Sequence, residues 1–397
     1  MKRSISNFLE YLFSFLIIID CNTIYRQYIS GSIMYTICAI LLILLIVMTH
    51  KKLKIDIIFK TVLFVIIIPL FYIFQYDDIQ HNDYRLKLYF VYFFCIFPLV
   101  YIYYNLAKDK YSVLYKFSSL ISILSLYSTF LWLFCSFLQV VPMPHMILNN
   151  WAENEFVPSF YYVYFETQAH SFFGMEIVRN SAIFSEGPMF AICLYTALLI
   201  ELLLKENINK WHVSFLLAGI LTSTSTTAYI VTMIIFTLRF VSKQKNMIRL
   251  IIVYLPVIAI VLLFVFGILL QEKESSNAVS YYTRLSGYTK GWEVFMDNPM
   301  FGKGFYSQTE SNSNSIIVIL SEIGIVGSLP FLFGLLFVPI SLLLNYTTRN
   351  RAFAGLVFFL GYSFTIVTYC LISVVFSSFF ISQLNFYNCR SIKTLRA

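Results

Sequence analysis

Residues 284–327 read RLSGYTKGWEVFMDNPMFGKGFYSQTESNSNSIIVILSEIGIVG and form the longest polar interruption in the second half of an otherwise apolar chain. The stretch contains an arginine, a tryptophan, an Asn-Pro turn, a Gly-Lys-Gly step and a Ser/Asn run before it returns to apolar sequence around Glu322. Irregular polar backbone at membrane depth is tolerated only where it is buried in protein or lines a water-filled cavity. We therefore expect this stretch to be where a membrane protein meets a water-soluble substrate.

The composition identifies the class of protein. The 397-residue sequence is 59% hydrophobic and only 12% charged, whereas soluble domains carry about 25% charged residues. So little charge cannot cover a soluble surface of this size, and the sequence therefore predicts an integral membrane protein. The net charge of +8 is interpreted through the location of the charges along the chain, and we expect no nucleic acid partner.

Cysteine usage gives no sign of a disulfide framework or a metal centre. The seven cysteines are scattered singly, mostly within apolar runs, and none has the C-x-x-C spacing of a zinc site. No small-residue cleavage site follows the first apolar run, so we expect no cleavable signal peptide. The sequence therefore predicts no metal site.

Apolar runs of about 20 residues predict transmembrane helices. The predicted helices cover residues 8–21, 28–49, 55–75, 87–106, 113–140, 182–204, 211–223, 226–241, 249–270, 315–344 and 353–380. The last run is long enough to fold back near Tyr369 as two short helices, which gives eleven or twelve spans. The predicted fold class is an all-α integral membrane protein, with residues 1–397 forming a single polytopic domain. Its two long loops, residues 141–181 and 271–314, are expected to lack regular secondary structure and to be packed through their aromatic residues.

Basic and acidic residues alternate between successive connections. With the N-terminus in the cytoplasm, the inner connections hold Lys51, Lys52, Lys54, Lys108, Lys110, Lys205, Lys210, Arg239, Lys243, Lys245, Arg249, Arg349 and Arg351. The outer connections hold Asp77, Asp78, Asp83, Glu153, Glu155, Glu166, Glu176, Glu272, Glu274, Asp297 and Glu310. Basic connections stay on the cytoplasmic side during insertion. The pattern predicts that both long loops lie on the outer face.

The first candidate site lies where the first long loop meets the next helix. Arg179 is predicted at the outer surface, and Glu186 is predicted just inside the start of that helix. An ionisable residue within a span is costly and marks a functional site by default. The alternative is structural, with Arg179 reaching the interface and pairing with Glu186. The Ser/Thr-rich turn at residues 222–227 is a weaker candidate, because its hydroxyls are expected to bond to each other and to the backbone.

The second candidate site is the opening stretch. Arg284 precedes Trp292 on a predicted short amphipathic helix, which Asn298-Pro299 ends because proline lacks a donor and disfavours helix before it. Arg179 and Arg284 are predicted on the same side of the membrane. Two such guanidinium groups suit recognition of a diphosphate, because their planar fork binds phosphate oxygens bidentately. Exposed aromatic residues such as Trp292 suit either membrane anchoring or packing against sugar rings.

Three pieces of the sequence, in this order, resemble the O-antigen polymerase and O-antigen ligase superfamily. The pieces are Arg179 with Glu186 and Pro188, the turn with Ser223 and Ser225, and Arg284, Trp292, Asn298, Pro299, Gly302 and Gly304 followed by Glu322, Gly324 and Gly327. The resemblance covers about residues 179–330. Each piece is degenerate, so the resemblance depends on their order and on their predicted side of the membrane.

The resemblance implies a GT-C-like membrane glycosyltransferase of the bacterial inner membrane, with an active site on the periplasmic side. Donor and acceptor would be undecaprenyl-diphosphate-linked glycans, used without metal or other cofactor. Arg179 and Arg284 would bind the diphosphate, and Trp292, Asn312 and Asn314 would be further substrate-binding residues. Glu186 would be the catalytic base, with Glu322 as the alternative. A polysaccharide chain-length regulator and membrane lipid would be further partners.

One position separates the two enzymes of the superfamily. In the ligases a His-Asn pair commonly stands nine residues before the glutamate of the last piece, and here Ser313 and Asn314 occupy those places. A serine hydroxyl cannot replace imidazole as a base near neutral pH. The sequence therefore predicts an O-antigen polymerase, with the ligase as the nearest alternative. A flippase for lipid-linked repeat units is a further alternative, although flippases usually show two similar halves and short external loops.

Overall fold

Most of the chain forms apolar helices. The structure, a computed structural model, describes residues 2–49, 57, 61, 83–141, 145–151, 155–172, 175–242, 286–307, 314–343, 345–365 and 368–394. The helices are α1 (Lys2–Asp20), α2 (Gly31–Thr49), α3 (Asp83–Phe90, continued by Val91–Ile96 and Phe97–Leu106), α4 (Ser112–Leu131, continued by Trp132–Phe137), α5 (Gly187–Leu199, continued by Ile200–Leu204), α6 (Lys210–Thr222), α7 (Thr226–Ser242), α8 (residues 286–297), α9 (Ser315–Leu332, continued by Phe333–Phe337 and Val338–Leu342), α10 (Arg349–Ser363) and α11 (Leu371–Thr394). Short 3-10 helices cover Ile24–Tyr28 and Tyr346–Thr348.

Five of the described helices are long and apolar enough to cross a membrane. They are Gly31–Thr49, Lys87–Leu106, Ser112–Phe137, Gly187–Leu204 and Ser315–Leu342. These helices indicate a multi-pass membrane protein, and their bounds agree with the predicted runs to within a few residues. The predicted runs 55–75 and 249–270 lie outside the described residues, except that residues 57 and 61 are helical.

The predicted fold-back near Tyr369 is confirmed. α10 ends at Ser363 and α11 begins at Leu371. The Asp20 carboxylate at the end of α1 accepts a hydrogen bond from the Leu371 N–H at 2.8 Å. This bond satisfies one of the backbone donors that the start of a helix leaves without an intrahelical partner.

The prediction of an all-α fold is wrong in the first long loop. Strands β1 (His145–Asn149), β2 (Glu155–Phe160) and β3 (Tyr164–Phe165) form an antiparallel sheet, and β4 (Ala169–Phe172) pairs with β5 (Met175–Val178). Tyr161 and Tyr162 have positive φ angles and turn the chain between β2 and β3. Phe160, Tyr164 and Phe165 are buried. The aromatic residues that predicted packing of this loop also favour β-strands.

α5 is the most buried of these five apolar helices. Its span is 94% buried inside the protein, whereas the span of α4 is only 28% buried. A helix that is apolar on all sides is typical of such a core position. Its one carboxylate, Glu201, is fully buried and is paired with Lys205 and with His212 Nδ1, the latter at 3.1 Å. The charge is therefore compensated inside the protein, as burial of an ion requires.

The connections predicted on the outer face contact one another at one end of the bundle. Residues 22–24 pair with residues 183–185, through Ile24 N–H to Ile183 O at 2.9 Å and Ser185 N–H to Asn22 O at 3.0 Å. At the opposite end, Lys110 donates to Ser382 O at 2.7 Å, and Arg351 donates to Gln383 at 3.3 Å. The bundle thus has one end built from the predicted outer connections and one from the predicted inner connections.

Candidate functional site

The first cluster is built at the start of α5. Glu186 occupies the N-cap position with an extended backbone, and Pro188 stands in the first turn of the helix. Proline suits that turn because its fixed φ is helical and its missing N–H has no intrahelical partner there. The prediction that this helix starts at residue 182 and encloses Glu186 is therefore wrong. The preceding residues pair with other segments instead, as in the bridge between Thr23 and Phe184.

Glu186 is half-buried and is held by an indole. Trp151 follows strand β1, and its indole Nε1–H donates a hydrogen bond to Glu186 Oε1. The Glu186 backbone carbonyl accepts the Met189 N–H at 3.1 Å. The carboxylate is thereby fixed at the beginning of the helix while it retains exposed surface.

Arg179 lies against the first turn of α5. Its backbone N–H donates to Gln168 O at 2.9 Å. A Cβ added to Gly187 would lie 3.3 Å from both Cβ and Cδ of Arg179. The hydrocarbon part of Arg179 therefore packs closely beside Gly187. The structure thus brings Arg179 and Glu186 to the same helix start, as predicted.

The Ser/Thr turn contacts this cluster directly. Asn180 donates from its backbone N–H to Thr222 O at 3.0 Å and from Nδ2 to Thr222 Oγ1 at 2.9 Å. The hydroxyls of Thr222 and Ser223 donate to the carbonyls of Ala218 and Ile220. The expectation that these hydroxyls bond to the backbone is confirmed for Thr222 and Ser223, whereas Thr224 Oγ1 is buried without a hydrogen-bond partner among the described residues.

The second cluster joins residues 298–304 to residues 321–327, which come from the two parts of the third sequence piece. α8 ends at residue 297, so the predicted stop at Asn298-Pro299 is confirmed. The loop that follows runs alongside a break in α9. The Lys303 and Gly304 N–H groups donate to the carbonyls of Ser321 and Glu322 at 2.8 and 2.9 Å. In the other direction, the Ile325 N–H donates to Pro299 O at 2.9 Å and the Val326 N–H to Met300 O at 3.1 Å.

Two glycines make this contact possible. Gly324 breaks α9 with φ of 62° and ψ of −172°, and Gly302 has φ of 72°. A Cβ on Gly324 would lie 2.4 Å from Met300 O, and a Cβ on Gly302 would lie 2.4 Å from the carbonyl carbon of Glu322. Both positions require glycine for backbone conformation and for close approach. The groups that the break removes from the helical ladder are satisfied by the loop.

The Glu322 carboxylate lies inside this joint. It is 2% exposed, and its Oε2 accepts the Tyr306 N–H at 3.0 Å and the Tyr369 hydroxyl at 2.9 Å. Burial, together with the nearby Glu322 charge, raises the pKa of Tyr369 well above its ordinary value, so its hydroxyl stays protonated and donates. Glu322 therefore fixes loop and helix to each other.

The other predicted site residues have different settings. Asn314 is the N-cap of α9, and its Oδ1 accepts the N–H groups of Ile316 and Ile317, both at 3.1 Å. Trp292 is 43% exposed on α8, with its ring centroid 5.3 Å from that of Phe295. Arg284 and Asn312 lie outside the described residues.

Two cationic side chains near these clusters were not predicted as site residues from the sequence. Lys303 is exposed while its backbone is fixed on α9. Arg26, in the first outer connection, is ion-paired with Asp20, its Nε lying 3.1 Å from Oδ1. A charged residue at the end of an apolar run is the signal that could have identified Asp20. The same connection contacts both clusters, through the pairing with residues 183–185 and through the bond between Asp20 and Leu371.

No family model matches the sequence, and no curated protein matches it. Within the part of the chain that the structure describes, no group of three His, Cys, Asp or Glu side chains is arranged to hold a metal ion.

Proposed function

We propose that this chain is an O-antigen polymerase, a multi-pass enzyme of the bacterial inner membrane with eleven or twelve spans. It joins undecaprenyl-diphosphate-linked oligosaccharide repeat units into a longer polysaccharide at the periplasmic face. The observation that carries the proposal is the contact between motif pieces distant in sequence. Residues 299–304 bond to residues 321–326, and Arg179, Glu186 and the Ser/Thr turn share the start of α5.

The start of α5 supports recognition of an anion. The dipole of a helix gives its start a partial positive charge, and the Arg179 side chain packs beside that turn. In the proposed reaction a growing glycan leaves its lipid diphosphate, and negative charge develops on the leaving group. Preorganised cations aimed at that charge stabilise the transition state. Arg179 supplies one such cation, and the sequence places Arg284 on the same side of the membrane.

Of the two candidate bases, the geometry favours Glu186. A general base must come within hydrogen-bond reach of the acceptor hydroxyl. Glu186 is half-buried at a helix start, whereas Glu322 is 2% exposed and already accepts two hydrogen bonds at one oxygen. We assign proton removal from the acceptor sugar to Glu186 and a positioning role to Glu322. Trp292 presents a half-exposed indole that suits packing against a sugar ring.

The lipopolysaccharide ladder of a deletion strain tests the proposal. Deletion of the gene should leave lipopolysaccharide with a single repeat unit, and the wild-type gene should restore the ladder. Arg179→Ala and Glu186→Gln should fail to restore it. Arg179→Lys should restore it only in part, because an ammonium group lacks the bidentate fork. Glu155→Gln, at an exposed position of β2 in the same loop, is the matched control and should restore it fully.

Other outcomes of the same experiment identify the alternatives. Loss of every repeat unit in the deletion strain would favour the ligase or the flippase. A flippase would also leave the glycan of a purified lipid-linked substrate unchanged. Restoration of core-linked glycan in a ligase-null strain would identify a ligase. A full ladder with both Arg179→Ala and Glu186→Gln at normal expression would remove the assignment of these residues.

A further inference from the structure

The helix α8 (residues 286–297) lies beside a membrane span without being one itself. A spanning helix needs about 20 consecutive apolar residues with few or no charges, and α8 carries Lys290, Glu293 and Asp297 on its exposed surface. The loop that follows α8 is fixed to α9, as in the hydrogen bond from Lys303 N–H to Ser321 O at 2.8 Å. The surroundings of α8 must therefore be inferred from the residues that it exposes.

α8 buries one side against the protein and leaves a second apolar side exposed. Gly291 and Phe295, four residues apart, are buried. The exposed apolar residues also follow at intervals of four, which places those on the helix along one side of it. They are Tyr288, Trp292 and Met296 on α8 and Met300 just after its end, each between 43% and 60% exposed. These four residues are called the apolar row below.

A third side of α8 is polar. Its exposed residues are Thr289, Lys290, Glu293 and Asp297. At about 3.6 residues per turn, the buried side, the apolar row and the polar side occupy successive sectors of the helix. A helix at the rim of a membrane bundle meets protein, lipid and water, and α8 has one side suited to each of them.

The apolar row ends beside the exposed surface of α9. The Met300 carbonyl accepts the Val326 N–H at 3.1 Å, and the Pro299 carbonyl accepts the Ile325 N–H at 2.9 Å. α9 is one of the five helices long and apolar enough to cross a membrane. Its own exposed apolar residues begin at this contact and follow at intervals of four, namely Ile325, Leu329, Phe333 and Phe337. An apolar row that a span exposes along its length faces lipid, and the apolar row of α8 continues that surface.

The boundary between lipid headgroups and acyl chains suits the composition of the apolar row. Amphipathic helices that lie in the membrane plane bury their apolar side about 5–10 Å into this boundary. Tyr288 and Trp292 are of the residue types whose rings lie at headgroup level, and Met296 and Met300 carry no hydrogen-bond donor. In water the row would be a contiguous exposed apolar patch, which marks an interaction surface when it is large.

We propose that α8 lies in the plane of the membrane and binds lipid through the apolar row, with its polar side toward water. The lipid contact holds the loop at residues 298–307 and its joint with Glu322 at the level of the membrane surface. The inference does not depend on the reaction proposed above. Trp292 keeps the sugar contact as a second role, because an indole at headgroup level borders both lipid and water. The test therefore uses the two methionines.

Spin labels on the full-length protein test the inference. Met296→Cys and Met300→Cys place a nitroxide in the apolar row, and Glu293→Cys places one on the polar side of the same helix. The proteins are measured in nanodiscs with one copy per disc. Collision of each label with oxygen, which concentrates in lipid, is compared with collision with a water-soluble nickel chelate. We expect a gain of oxygen access and a loss of nickel access for both row labels relative to the Glu293→Cys label.

Two further positions calibrate the measurement. Leu329→Cys, in the exposed row of α9, is the lipid reference, and Glu155→Cys, at an exposed position of β2, is the water reference. The described native cysteines are buried or half-buried, so the signal of the unsubstituted protein after the same labelling is subtracted. Row labels that match Leu329→Cys would support the inference. Row labels that match Glu155→Cys would overturn it, because the row would then face water.

Protein is the remaining alternative to lipid as the cover of the apolar row. Row labels shielded from both reagents in single-copy nanodiscs would show that the chain covers the row itself, and this would also overturn the inference. The same labels in vesicles at high protein density test a second copy of the chain. Oxygen access retained there would support lipid, whereas its loss in the vesicles alone would assign the row to contact between copies and overturn the inference.

Discussion

At the scale of single residues, two glutamates that look equivalent in sequence have different environments. Glu186 retains exposed surface at a helix start, with the Trp151 indole as donor. Glu322 is enclosed by the Tyr306 N–H and the Tyr369 hydroxyl. Burial and partners decide what a carboxylate can do. From the sequence, Glu186 is the first candidate for the catalytic base and Glu322 the alternative, and Glu186 is the more exposed of the two.

Asn314 presents the same distinction between a structural and a substrate-binding role. Its Oδ1 caps α9, so Asn314→Ala should lower the free energy of unfolding by about 1 kcal/mol. Asn314→Asp keeps an oxygen for the cap but removes the amide donor. We expect Asn314→Asp to retain wild-type stability, measured by unfolding in mixed detergent micelles, and to lose ladder formation if the amide contacts the acceptor sugar. A full ladder with Asn314→Asp would assign Asn314 to capping alone.

At the scale of elements, the broken helix α9 and the loop at residues 298–307 form one unit. The loop bonds to the helix where Gly324 departs from helical geometry, and the loop supplies the partners that the break requires. An isolated break at membrane depth would leave backbone groups without partners. Helix and loop therefore stabilise each other, and neither is expected to keep its shape alone.

Substitution of either glycine in this unit should be severe. Gly302→Ala and Gly324→Ala each place a Cβ 2.4 Å from main-chain atoms of the opposite segment and force alanine into a left-handed conformation. A positive φ of this kind costs a non-glycine residue about 1–3 kcal/mol before the clash is counted. We expect loss of folded protein, measured by size-exclusion elution and expression. Gly287→Ala, at a half-exposed helical position of α8, is the control and should be tolerated, because alanine favours helix. Wild-type elution of Gly324→Ala would contradict the close approach.

At the scale of the whole molecule, the bundle has one end where the candidate residues collect. The first outer connection pairs with the segment before α5 and bonds through Asp20 to the start of α11. Around it lie the Arg179 cluster and the contact between Glu322 and the loop at residues 298–307. A site assembled from many connections is typical of a bundle whose spans are long and regular, because only the connections can vary in shape.

Labelling with a membrane-impermeant maleimide tests the orientation of this end. Glu155→Cys, at an exposed position of β2, should react in cells whose outer membrane is permeabilised. Glu206→Cys, at an exposed position between α5 and α6, should react only after the inner membrane is opened. The described native cysteines are buried or half-buried, so the unsubstituted protein is the background control. The reverse labelling pattern would contradict the orientation predicted from the charges.

The sequence by itself determined the membrane class of the protein and the approximate positions of the five long apolar helices. Each span must satisfy its own backbone and bury its own apolar run, so its location is a local property. The fold-back near Tyr369 and the end of α8 at Asn298-Pro299 were also local, and both were predicted. The strands of the first long loop were missed because their aromatic residues suit interface anchoring as well as a sheet.

Only the tertiary structure decided which pieces meet. Asp20 and Leu371 are 351 residues apart in sequence, and Tyr306 and Glu322 are 16 apart, yet both pairs are hydrogen-bonded. Such contacts depend on how helices pack, and no residue type or spacing encodes them. The burial of Glu322, the exposure of Glu186 and the pairing of Arg26 with Asp20 all follow from that packing, because the environment of an ionisable group is set by every segment around it.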